Sequence, residues 1–97
     1  MNDETLPQID FATFILSLSH SALMHLGEAP DPLTNQVHAD LSLAKQNIDI
    51  LGLLEDKTKG NLSGDEERLL AQVLFDLRMR YVERANAADR TGEPPPG

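Results

Sequence analysis

The run Lys57-Thr58-Lys59-Gly60-Asn61-Leu62-Ser63-Gly64-Asp65-Glu66-Glu67 separates two apolar periodic segments, and its residues read as one helix ending and another beginning. Lys57 and Lys59 suit the negative end of the preceding helix. Gly60 stops that helix, because it alone enters the left-handed region without penalty. Ser63 with Glu66 three residues on is a capping box, in which each side chain satisfies the other's free backbone N–H. Asp65, Glu66 and Glu67 add negative charge at the positive end of the new helix. So short a connection forces the two helices to fold back on one another as an antiparallel hairpin.

Before the turn, Val37, Leu41, Ala44, Ile48 and Leu51 alternate steps of four and three, a spacing suited to helix–helix packing. Leu43, Ile50 and Leu54 make a second stripe beside it, and Thr34 or Asn35 is the expected cap. Gly52 interrupts this helix at a cost of ~1 kcal/mol against Ala and can admit a close neighbour. After the turn, Leu70, Leu74, Leu77 and Tyr81 form the main stripe, with Val73, Phe75, Met79 and Val82 alongside. Asp76 and Arg80, four apart, can pair on the exposed face.

A third helix precedes these two. Asp10 is its expected cap, Gly27 its terminator, and Phe11, Phe14, Ile15, Leu18, Ala22 and Leu26 its stripe. Leu16, Leu23 and Met24 lie outside that stripe, and Ser17 and Ser21 mark a strip of small residues. The segment Glu28-Ala29-Pro30-Asp31-Pro32 is the linker, since each proline pushes its predecessor out of the helical region. The sequence therefore predicts an all-α, three-helix domain over residues 10–88, with helix one packed across the hairpin of helices two and three. Residues 1–9 read as a flexible arm, and residues 89–97, with Pro94-Pro95-Pro96, as a disordered tail.

The chain has 97 residues, enough for one domain, of which 40% are hydrophobic and 25% charged. It has no cysteine, which excludes disulfides and cysteine-zinc sites and is compatible with a cytoplasmic home. The net charge is −8. Residues 1–44 hold six acids and no Lys or Arg; all eight basic residues begin at Lys45, against ten acids. This balance argues against binding to nucleic acid or anionic lipid. Met1-Asn2-Asp3-Glu4 is unlike the basic start of a signal peptide. The apolar stretch Phe11–Leu26 is shorter than the ~20 residues of a membrane span.

The chemistry-bearing residues do not gather into a recognisable motif. His20 and His25 are five apart, about 140° around a helix, so they do not share a face. His38 and Asp40, two apart, diverge if helical. Glu55-Asp56 and Asp65-Glu66-Glu67 fall at helix ends, where solvation and the helix dipole account for them. Lys57–Asn61 lacks the Gly-x4-Gly-Lys-Ser/Thr pattern of a phosphate loop. Arg78 and Arg80 point about 200° apart, so they form no single basic patch. The sequence thus predicts no catalytic residues, no cofactor and no metal.

From Asp10 to Glu83 the chain resembles a bacterial family known only as a domain of unknown function, number 1844 in the usual series. The likeness rests on Asp10-Phe11-Ala12-Thr13-Phe14 with Ser17-Leu18 and Leu26-Gly27, and on Asp40-Leu41 with Ala44 and Ile48-Asp49-Ile50-Leu51. Its most specific part is Lys57-Thr58-Lys59-Gly60-Asn61-Leu62 with Glu66-Glu67 and Leu77-Arg78-Met79-Arg80-Tyr81. The resemblance implies a short helical protein with no assigned activity. It also gives weight to Lys57, Thr58, Asn61, Arg78 and Tyr81 as a partner-binding surface.

The expected function is that of a non-enzymatic helical interaction protein, forming a homo-oligomer or binding a protein partner. Helix one is the expected contact, because Leu16, Leu23 and Met24 exceed what one hairpin can cover. The alternative is a small regulator docking on a ribonucleoprotein or other macromolecule through the Lys57–Asn61 turn and the Arg face of helix three.

Overall fold

In the computed structural model, which describes residues 8–90, three helices pack against one another and no strand occurs among the described residues. Helix α1 spans Phe11–His25, α2 Leu41–Lys57 and α3 Gly64–Arg90. Most of the expected arm and tail lies outside the described residues. Gln8 and Ile9 are exposed, and α3 continues past Ala85, where the apolar pattern fades, to Arg90.

Helix α1 begins at Asp10, whose carboxylate accepts the Thr13 N–H at 2.8 Å. Hydrogen bonds from the Thr13 side chain first, and then from its backbone N–H, stabilise the charged form and hold the Asp10 carboxyl below its ordinary pKa. The helix closes in a Schellman motif: Gly27 N–H donates to Met24 O at 3.0 Å and Glu28 N–H to Leu23 O at 2.9 Å, with Gly27 at φ +80°. Helix α3 begins with the expected capping box. Glu66 N–H donates to Ser63 Oγ at 3.2 Å, and Ser63 N–H to Glu66 Oε1 at 2.8 Å.

The start of α2 differs from expectation. Thr34 and Asn35 do not cap it; Asp40 does, accepting the Leu43 N–H at 3.1 Å. Residues 31–36 instead close into a loop. Asp31 N–H donates to Gln36 O at 2.9 Å, Asn35 N–H to Asp31 O at 2.7 Å, and Thr34 Oγ1 accepts from Gln36 N–H. Asn35 adopts φ +58°, a conformation no helix contains. Val37 therefore falls outside the helix and is 60% exposed rather than part of the core stripe. Asp40 N–H donates to His25 O at 2.7 Å, which pins the start of α2 to the end of α1.

The hairpin is antiparallel. Glu55 and Lys59 share a cavity with Glu67, Leu70 and Ala71, Gly52 lies beside Arg78, and Lys45, Ile48 and Asp49 border Tyr81 and Val82. Residue numbers fall along α2 as they rise along α3. The core is Ile15, Ala22 and Leu26, with Leu41, Ala44, Ile48 and Leu51, and Leu70, Leu74 and Leu77. Burial of each large aliphatic side chain among these contributes about 1.5–3 kcal/mol.

Helix α1 buries a narrower face than its stripe suggests. Phe14 is 42% exposed and Leu16 53%, because both sit about 100° to either side of buried Ile15. Leu23, placed outside the stripe on sequence, packs against the core.

Candidate functional site

The predicted interaction residues fall into separate places. On α1, Leu16 is exposed and Leu23 and Met24 are half-buried. Met24 lines a small cavity, about 130 Å³, between α1 and the connection to α2. Phe14 and Leu16, both exposed, lie on opposite sides of the helix.

At the hairpin turn Lys57, Thr58 and Asn61 come together, and their contacts are those of a helix end. Thr58 Oγ1 donates to Leu54 O at 2.6 Å, and Asn61 N–H donates to Thr58 O at 2.8 Å. Lys57 and Asn61 are exposed. Fifteen helical residues separate Ser63 from Arg78, about 22 Å, so the turn and the Arg face are two surfaces rather than one. Arg78 and Tyr81 do meet, along a groove between α2 and α3 that Lys45, Ile48, Asp49 and Val82 also border.

The arginines of α3 have unequal surroundings. Arg80 pairs with Asp76 at 2.8 Å and with Glu28, and Arg84 reaches the same Glu28 carboxylate at 3.4 Å. Asp76, then Glu28, hold the Arg80 pKa above its ordinary value. Glu28 thereby ties the connection after α1 to α3. This tie was not visible in the sequence, because its partners lie 52 and 56 residues away. Arg78 and Glu83 have no ion pair among the described residues.

A continuous exposed apolar feature lies on α3. Phe75 is 68% exposed, Met79 51% and Val82 55%. Spaced by four and three residues, they line one face of the helix. With Arg78 and Glu83 they border an open groove of about 380 Å³. Sequence reading placed these three beside the main stripe of α3. Helical geometry shows more: their mean direction is roughly 140° from that of Leu70, Leu74, Leu77 and Tyr81. A face so far from the core cannot be covered by the hairpin, and that angle was the available signal.

His25 and His38 border the same cavity, but no group of three His, Asp or Glu side chains among the described residues is arranged to hold a metal ion. No helix among them is long and apolar enough to cross a membrane.

Fold and surface define a small three-helix domain in which Asp10, Asp40 and the Ser63–Glu66 pair cap the helices and α3 presents an exposed apolar stripe. The chain belongs to the family described as domain of unknown function DUF1844, which it matches over residues 8–83. No curated protein and no solved structure matches it.

Proposed function

We propose that this chain is a non-enzymatic helical interaction protein that self-associates, and that the contact is the outer face of α3 rather than α1. The observation that carries the reading is the stripe Phe75–Met79–Val82, exposed over two helical turns. Three large apolar side chains aligned in water cost free energy that a covering partner recovers, at about 25 cal/mol per Å² of apolar surface removed. The non-enzymatic part is supported by how the acids are used. Asp10, Asp40 and Glu66 cap helices, while Asp49, Asp65 and Asp76 pair with Lys45, Arg68 and Arg80.

Sedimentation at micromolar concentration tests the reading: a dimer or larger species is expected. Met79→Glu should dissociate it with helix content unchanged, since the side chain lies outside the core. Leu16→Glu puts the same charge on α1 and should leave the assembly intact. Dissociation by Leu16→Glu but not by Met79→Glu would move the contact back to α1.

A further inference from the structure

The geometry points to a specific occupant for this face: α3 of a second copy of the chain, parallel and in register, with Arg78 of each copy paired to Glu83 of the other. This rests on the self-association proposed above and adds its orientation. Steps of four and three place Phe75, Met79 and Val82 at heptad positions d, a and d. Arg78 then falls at g and Glu83 at e, on the two flanks of the stripe, and both border its groove.

In a parallel pair, g of one helix faces e of the next heptad on the other. Arg78 therefore meets Glu83 of the second copy, twice by symmetry. Within the chain neither residue has an ion pair among those described. Asp76, the other charged flanking residue, already pairs with Arg80. An antiparallel pair sets g against g and e against e. According to its register, it opposes Arg78 to Arg78 or Asp76 to Glu83, and both are repulsive.

Asn86 supplies a further argument for the parallel arrangement. It lies at the next a position after Val82 and is exposed. In register, two such side chains meet and can bond to each other, a device that fixes register at some cost in stability. Gln72 occupies the preceding a position. The apolar seam between these polar residues is two turns long, about 10 Å, which suits reversible pairing.

Because the chain has no cysteine, one introduced thiol reads the orientation. In the full-length chain, Asn86→Cys should give a disulfide-linked dimer on mild oxidation, and Ser42→Cys, exposed on α2, should not. Arg78→Glu or Glu83→Arg should each raise the dimer dissociation constant roughly tenfold, and the double exchange should restore it, because two pairs are lost and replaced by repulsion. A dimer that Met79→Glu dissociates but Asn86→Cys does not cross-link would overturn the parallel arrangement and leave self-association through α3 standing. A chain that stays monomeric would overturn both and leave the face to a partner of another kind.

Discussion

Residues 58–63 and residues 26–40 both carry the chain from one helix to the next, and both contain a glycine with positive φ. The shorter connection is held by its own neighbours. Thr58 bonds back to Leu54, Asn61 to Thr58, and Ser63 and Glu66 cap one another. The longer one is held from a distance: Asp40 by His25, and Glu28 by Arg80 and Arg84. The shorter could be read residue by residue because every bond in it spans a few positions. The longer could not.

The two glycines offer the strongest way to sharpen this contrast. Gly60 has φ +85° and nothing within 4 Å of an added Cβ, whereas Gly27 has φ +80° and would place its Cβ 3.0 Å from Ala39 Cβ. Gly60→Ala should cost about 1–2 kcal/mol, the left-handed penalty alone. Gly27→Ala should cost about 2–4 kcal/mol, because crowding against a second chain segment adds to it. Urea melts measure both. Ala39→Gly should recover part of the loss at 27 and none at 60, and equal costs at the two glycines would break the distinction.

The caps give a smaller effect. Ser63→Ala should destabilise by about 0.5–2 kcal/mol. Thr34→Ala should fall within about 0.5 kcal/mol, since its hydroxyl closes only an exposed turn at 3.3 Å. Comparable losses at both would mean that residue 34 has a structural role this fold does not give it.

The long-range tie gives a modest effect that depends on salt. Glu28 is only 19% exposed but its arginine partners are 40% and 47% exposed, so solvent screens the pairs. Glu28→Gln should cost about 0.5–1 kcal/mol in low salt and less as salt rises. A loss that does not change with salt would show that packing, not charge, holds the connection.

The three helices, the hairpin and two of the three N-caps were legible in the sequence because caps and heptad spacings are local signals. The start of α2 was misplaced because Thr34, Asn35 and Asp40 all qualify as caps. The choice among them depends on a hydrogen bond from Asp40 N–H to His25 O, fifteen positions earlier. On the surface, Arg78 was identified but not its place beside the apolar stripe. Leu16, Leu23 and Met24 stand out by the count of apolar residues on α1, which does not reveal that Leu23 packs against the core. Phe75, Met79 and Val82 carried the same spacing signal as the core and differed from it only in direction.

The connection between α1 and α2 also divides the chain in a way unrelated to its helices. Residues 32–39 are all exposed, while Leu26, Glu28 and Asp40 on either side are anchored. A cut within that span leaves Ile15, Ala22 and Leu26 on one piece and the rest of the core on the other, with Glu28 still facing Arg80 and Arg84. The domain is thus built like a split reporter, with two fragments that carry complementary halves of one core. The same span is its natural insertion point, where a guest sequence displaces no buried side chain.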